Sequence, residues 1–207
     1  VPTYNSEMYV GRCIRSLLNQ SFNKDNFEII VINDGSKDET KKVLKPFSED
    51  IIYLENKNNK GLPYSLNLGV KKAKGRFVVR VDSDDWVHPE YINIMFHHLS
   101  LNNNLDAVAC DYILVNSSQD AIKQVSWRKK PIGCGIMFRI ENLIKIGLYD
   151  EKFLAREDED LLIRFQKSYK VTNLKVPLYK YRQHENNMTK NKKKLKKFKL
   201  KLKKKHK

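Results

Sequence analysis

The chain has 207 residues, 41% of them hydrophobic and 10% aromatic, which suits one domain with a buried core and a short appendage. Its formal net charge of +16 suggests a nucleic-acid binder until the charge is located: residues 190–207 hold 12 Lys and no Asp, Glu or Arg, so 28 basic residues face 24 acidic ones elsewhere. Cys13, Cys110 and Cys134 are far apart and form no Cys-x-x-Cys pair, which suggests neither a disulfide framework nor a zinc site and fits a reducing cytoplasm. No signal peptide pattern is visible, and no apolar run approaches the roughly 18 residues that span a bilayer, so any membrane contact is expected to be peripheral.

Val1 to Asn5 reads as the end of a strand and a loop, and the natural protein is expected to start a few residues earlier. Glu7 to Gln20 follows as a helix, with Val10, Ile14, Leu17 and Leu18 at helical spacing and Asn5 or Ser6 as its cap. Phe27 to Ile32 is the next strand, ending in Asn33-Asp34-Gly35-Ser36, and a helix capped by Ser36 or Asp38 runs to about Leu44. Ile51 to Leu54 is a third strand, and Tyr64 to Ala73 a helix stopped at Gly75. Strands alternating with helices argue for a parallel, Rossmann-like sheet with right-handed crossovers.

Phe77, Val78, Val79 and Val81 form a short β-branched run, read as a strand of that sheet buried on both faces. It stops in Asp82-Ser83-Asp84-Asp85, poor strand formers, which places the acids where the carboxyl edge of an open α/β sheet makes its ligand crevice. Three anions that close need a cation between them, and oxygen ligands suit Mg²⁺ or Mn²⁺ bridging a substrate diphosphate. The alternative is an acidic surface turn. Beyond Trp86, Pro89 to Leu101 is a helix, Ala107 to Val115 a strand, and Ser117 to Lys130 a polar excursion. Gly133-Cys134-Gly135 suits a mobile loop or a plain turn. Glu141 to Ile146 is a short helix, Ala155 to Tyr169 a helix with Glu157, Asp158, Glu159 and Asp160 at its positive end, and Val171 to Val176 a strand before a Tyr-rich segment, Leu178 to His184.

Five motifs in order make the chain resemble the inverting family 2 glycosyltransferases of the GT-A fold over Val1 to about Thr189: Val-Pro-Thr-Tyr-Asn at residues 1–5, Ile-Asn-Asp-Gly-Ser around Asp34, Gly61-Leu62 with Leu66-Asn67-Leu68-Gly69, Asp82-Ser83-Asp84-Asp85, and Glu157-Asp158-Glu159-Asp160-Leu161 with Arg164. The resemblance implies one domain, 1–189, with a nucleotide-sugar half at 1–100, an acceptor half at 101–189 and an appended Lys-rich tail at 190–207. It implies transfer of a sugar from a nucleoside diphosphate sugar, usually a UDP-sugar, to a saccharide or lipid-linked acceptor, with Mn²⁺ or Mg²⁺. By the same resemblance Pro2, Thr3 and Tyr4 line the uridine pocket, Asp34 accepts from the uracil, Asp82 holds the ribose or sugar, Asp84 binds the metal and Asp158 is the catalytic base. Glu159 and Asp160 are read as capping and dipole compensation. Many members have Ala-Arg-Asn where this chain has Ser65-Leu66-Asn67, so Asn67 is kept among the donor-site residues while the diphosphate-binding cation falls to Arg80 or Lys60; for Arg80 an ion pair with a neighbouring acid is the competing reading. Tyr181-Arg182-Gln183-His184 resembles a Tyr-Arg-x-His segment of the family, which makes His184 a second metal ligand or a solvated histidine. Trp86 and Trp127 are read as sugar platforms or core.

The tail is a charge run expected to be disordered, with Leu195, Phe198 and Leu202 also consistent with a basic amphipathic helix on an anionic membrane. The whole describes a cytoplasmic enzyme, peripheral at the inner face of the cell membrane. A non-catalytic nucleotide-sugar-binding protein and a nucleotidyltransferase are the alternatives; the first would not need the acids at 157–160, and the second would favour a Gly-rich phosphate loop at the first strand.

Overall fold

The computed structural model describes residues 1–185, 187 and 190–207. A parallel ladder of β1 (Pro2–Thr3), β2 (Ile30–Asn33) and β3 (Ile52–Glu55) forms the first sheet, in that order. Between β1 and β2 lies α1 (Val10–Leu18), which turns Val10, Cys13, Ile14 and Leu17 into the core at the expected spacing. Asp38 accepts from the Thr40 amide and hydroxyl at 3.1 and 2.6 Å to start α2 (Thr40–Leu44). Gly61, at φ +94°, turns the chain into α3 (Leu62–Lys72), where Pro63 sits in the first turn and needs no donor.

The second sheet holds β4 (Phe77–Val79), β5 (Trp86–Val87), β6 (Ala107–Val115), β7 (Ala121–Val125), β8 (Ile136–Arg139) and β9 (Val171–Arg182). Its order is β4-β8-β6-β9-β5, with β7 also on β6, and only β6 and β9 run parallel. The parallel pairing expected of the whole sheet is therefore kept in β1–β3 and in the β6–β9 pair, while the other described pairings are antiparallel. Phe77–Val79 is half-buried and antiparallel to β8. A short apolar run reports that a strand is covered; the direction of its partner is set some 60 residues away. Two further readings change: the polar excursion at 117–130 contains β7, and the segments on either side of Val176 are one strand. That strand slips register where Pro177, without an amide donor, stands opposite Asp111.

Helices α4 (Tyr91–Ser100), α5 (Ile140–Lys145) and α6 (Glu157–Phe165) cover this sheet. The main core lies between α1, α4 and the two sheets, and a second one under α5 and α6 includes Trp127, Phe138, Leu161 and Phe165. Since β4 and β5 pair with β8 and β9, the halves 1–100 and 101–189 interleave in one sheet; residue 189 itself lies outside the described residues. The tail departs from expectation most. Lys192–Lys205 forms α7, and Phe198 and Leu202 close a small core with Phe153 and Ala155 just ahead of α6. Two buried side chains of that size contribute about 1.5–3 kcal/mol each, enough to oppose mutual repulsion of the lysines. Among the described residues no helix is long and apolar enough to cross a membrane.

Candidate active site

The acidic turn joins β4 to β5 and is tied down residue by residue. The Asp85 amide donates to the Asp82 carbonyl at 3.0 Å, and the Ser83 and Ser6 hydroxyls meet at 2.9 Å, which fastens the turn to the first loop. Asp85 is buried and accepts from the Tyr179 hydroxyl and the Arg182 amide, both at 2.7 Å. Burial, reinforced by Asp84 and Asp82, holds its carboxyl well above the usual carboxylate range, so it anchors the turn to β9. Asp82 is gripped bidentately: Arg80 Nε donates to Oδ1 at 2.6 Å and Nη2 to Oδ2 at 3.0 Å. The third nitrogen, Nη1, reaches Glu157 Oε1 at 3.1 Å.

Arg80 was expected to meet a diphosphate, and it stands in the competing arrangement instead, its three donor nitrogens spent on two carboxylates. Burial opposes its charge, but Asp82 and Glu157 hold the guanidinium well above its ordinary value. Glu157 is the weaker partner of the shared cation, and burial pushes its carboxyl up to about 7 against the pull of Arg80. Asp82 turns both oxygens to Arg80 and keeps 24% of its side chain exposed.

Asp84 is the open member of the turn, its side chain 27% exposed. Its Oδ2 lies 2.8 Å from His184 Nε2; the His184 ring stacks on Tyr9 with centroids 4.9 Å apart, and its Nδ1 is buried without a partner among the described residues. A carboxylate oxygen and an imidazole nitrogen converging on one point form a donor pair that suits Mn²⁺ or Mg²⁺. A second group, Asp82, Asp85 and Cys134, also has its ligand atoms within 4.8 Å of one another. There Arg80 already grips both oxygens of Asp82, and the Asp85 carboxyl accepts from the Tyr179 hydroxyl and the Arg182 amide, so these acids are engaged within the protein.

The turn and α6 meet at Gly133. A Cβ placed there would stand 2.4 Å from Asp158 Cβ, 2.9 Å from Asp158 Oδ2 and 3.1 Å from Arg80 Nη1, so only glycine lets Asp158 lie alongside the Arg80 clamp. Asp158 Oδ1 accepts from the Glu159 amide at 2.9 Å. Glu159 pairs with Arg156, and Asp160, fully buried, binds Arg164, Lys205 and His206, in line with the structural reading of both acids. The loop at 131–135 is stapled rather than mobile: Trp127 Nε1 donates to the Ile132 carbonyl at 3.0 Å, the Cys110 amide to the Gly135 carbonyl at 3.1 Å, and Cys134 is buried.

On the nucleotide side, Pro2 and Thr3 are buried in β1, Thr3 Oγ1 has no partner among the described residues, and Tyr4 is 46% exposed. The Asp34 amide donates to the Thr3 carbonyl at 2.8 Å, which sets the two motifs side by side. The Asp34 carboxylate accepts from Asn56 Nδ2 at 2.7 Å and from the Lys60 and Gly61 amides at 2.9 and 2.8 Å, so it shapes the loop into α3. Asn67 departs from its expected place at the donor. It is buried, its Nδ2 donates to the Tyr149 carbonyl and to Glu151 Oε1, both at 2.9 Å, and its Oδ1 accepts from the Tyr149 amide, so it is a strut between α3 and the loop before α6. Tyr9, Tyr179 and Glu157 complete the site without having been singled out for these contacts. Of these, only Glu157 carried a signal, as one of four consecutive acids.

A model described as Glycosyl transferase family 2 matches residues 1–158. The chain is 32% identical over 186 residues to an uncharacterized glycosyltransferase of Rickettsia prowazekii, covering 80% of this chain and 57% of that protein. It is 34% identical over 110 residues to a poly(ribitol-phosphate) beta-glucosyltransferase of Bacillus spizizenii, covering 51% and 17%. It thus spans only part of the length of these relatives. S. aureus TarS 1–349 in complex with UDP-GlcNAc superposes with a TM-score of 0.78 at 22% identity, covering 92% of this chain and 59% of that one. A mannosyltransferase from Pyrobaculum calidifontis in complex with GDP-Man and Mn²⁺ gives 0.73 at 16%, covering 90% and 56%. These likenesses establish the GT-A fold. With the family match running from the first strand through the acidic turn to Asp158, the chain belongs to glycosyl transferase family 2.

Proposed function

We propose that the protein transfers a sugar, with inversion, from a nucleoside diphosphate sugar, a UDP-sugar, to a hydroxyl of a saccharide or lipid-linked acceptor. The observation that carries this reading is the Arg80 bridge, which joins Asp82 to Glu157 and so holds Asp158, the next residue, against the acidic turn. Asp158 Oδ1 is occupied by the Glu159 amide, and Oδ2 on the Gly133 side takes the proton of the attacking hydroxyl. Asp84 and His184 hold the divalent ion, which when bound supplies charge to stabilise the departing diphosphate. Thr3 and Asp34 orient the base. With Arg80 committed, Lys60, exposed beside Gly61, is a candidate cation for the diphosphate.

The UDP-GlcNAc complex of TarS supports the donor class, and the named activity of the Bacillus spizizenii relative supports a polymeric acceptor. A cytoplasmic location belongs to this reading, in keeping with three free, buried cysteines, and so does peripheral contact with the inner face of the membrane through the lysines of α7. The test is hydrolysis of UDP-glucose, UDP-galactose and their N-acetyl forms by the purified protein with Mn²⁺. Asp84→Asn should lose metal-dependent UDP binding, whereas Asp158→Asn should keep it and lose turnover by about 10²–10⁴. Unchanged UDP affinity in the first variant, or full turnover in the second, overturns the corresponding role. UDP binding with no turnover by the unaltered chain would favour a binding protein.

A further inference from the structure

Beside the acidic turn a cleft of about 490 Å³ runs between α1 and β5, lined by Arg12, Arg15, Ser16, Asn19, Trp86 and Val87. Arg12, Arg15 and Asn19 are spaced three and four apart, so they share one face of the helix. The Arg12 guanidinium carbon lies 4.0 Å from the Trp86 ring centroid, and Arg182 contacts the same side chain at 4.7 Å. Arg182 also donates Nε to the Asp84 carbonyl at 2.8 Å, so one arginine borders both the cleft and the turn that carries the metal ligand.

The charge of this cleft is unbalanced. Arg80, Arg156 and Arg164 each sit against a carboxylate, but among the described residues Arg12, Arg15 and Arg182 pair with none. Burial, then Arg182 and Arg15, lower the Arg12 guanidinium from its ordinary value, and no acid opposes them. Like charges gathered in a partly desolvated cleft repel one another until an anion joins them. Guanidinium forks match the oxygens of a phosphate, and the buried indole, with Arg12 and Arg182 against its ring, fixes where those forks stand beside any alditol or sugar unit that the phosphate links. The volume accommodates a group of about one or two such units.

We propose that this cleft binds a phosphodiester of the acceptor, so that the acceptor is a phosphate-linked alditol or sugar polymer. The word acceptor rests on the transferase reading above; the phosphate site rests on the cleft itself. The full chain would be titrated with a three-repeat alditol phosphate oligomer, with a neutral oligosaccharide of equal length and with phosphatidylglycerol vesicles at equal phosphate, following tryptophan fluorescence and heat. The oligomer should bind, the neutral sugar should not, and the vesicles should bind at least tenfold more weakly per phosphate.

Arg12→Ala with Arg15→Ala should weaken the oligomer at least tenfold and flatten its salt dependence by the two lost contacts, while UDP binding with Mn²⁺ stays unchanged. Arg15→Glu, which leaves the Arg12–Trp86 contact in place, should give the same loss. Oligomer binding unchanged by these variants, or equal binding of the neutral sugar, overturns the site; equal binding of the vesicles assigns it to a lipid surface and overturns the polymer. UDP binding and turnover are read separately, so their failure would sink the transferase reading without deciding the cleft.

Discussion

Helix α6 is held from two sides, and the two ties differ in kind. On the side of the acidic turn, Arg80 binds Glu157 and Asp82 in a largely buried cluster. On the far side, α7 reaches back with Lys205, 2.7 Å from Asp160 and 2.8 Å from Asp150, with His206 2.8 Å from Asp160, and with Phe198 and Leu202 in a small apolar seam. Lys205 and Asp150 keep about a third and a quarter of their side chains in water. In the first tie Arg80 and Glu157 are desolvated while Asp82 keeps 24% of its side chain exposed, so losing Arg80 strands chiefly the Glu157 charge away from water. The outer tie is partly solvated at Lys205 and Asp150, and its buried member, Asp160, also holds Arg164 and His206, so it keeps partners when Lys205 is lost. The alignment of Asp158 with the turn therefore depends on the first far more than on the second.

Arg80→Ala is the most direct way to break this contrast. It leaves Asp82 and Glu157 without their cation and should cost about 3–5 kcal/mol of stability, read by denaturant melts, together with a loss of turnover larger than any loss of UDP binding. A variant as stable as the parent would show that the buried cluster does not hold α6.

A smaller effect concerns pH. Burial raises the Glu157 carboxyl from 4.5 to about 7, so the folded chain retains a proton there that the unfolded chain releases. This contribution to stability is complete below about pH 4.5 and is lost as pH rises through about 7. Melts between pH 5 and 8 should therefore show a decline that runs up to about pH 7, levels off above it and is absent from Glu157→Gln; an identical slope in the variant would assign the decline elsewhere. Least of all, Lys205→Ala should cost no more than about 1 kcal/mol, and the difference from the parent should fade in 1 M salt, where charges are screened beyond about 3 Å. A salt-independent loss above that size would make the outer tie the equal of the buried one.

Much of the site was legible because its residues sit at strand ends, where a run of β-branched residues breaking into Asp or Asn is visible in one dimension. Asp34 and Asp84 were singled out in that way, Asp158 by the family resemblance of the acids that open α6, and Asp84 and His184, a hundred residues apart, do meet. Asn67 and Arg80 were read as donor contacts from their neighbours in the chain. For Arg80 the competing reading, an ion pair with a neighbouring acid, holds at Asp82, but its second partner Glu157 and the Asn67 partners Tyr149 and Glu151 lie 77–84 positions away, where no local pattern announces them. For the lysine tail the expected disorder gives way to the amphipathic helix, whose face of Leu195, Phe198 and Leu202 was legible, whereas the apolar patch at Phe153 and Ala155 that receives it is not a property of neighbouring residues.

The amino-acid order alone determined the alternation of strands and helices as far as the acidic turn, and with it the carboxylates at the crevice, because periodicity and strand-breaking are properties of neighbouring residues. Tertiary structure alone decided that β4 runs antiparallel to β8, that Arg80 is spent on two acids, and that Arg12, Arg15 and Arg182 gather with no acid to match them. Whether a charge is free or committed depends on which side chains share its low-dielectric surroundings, and that is settled only when distant segments pack.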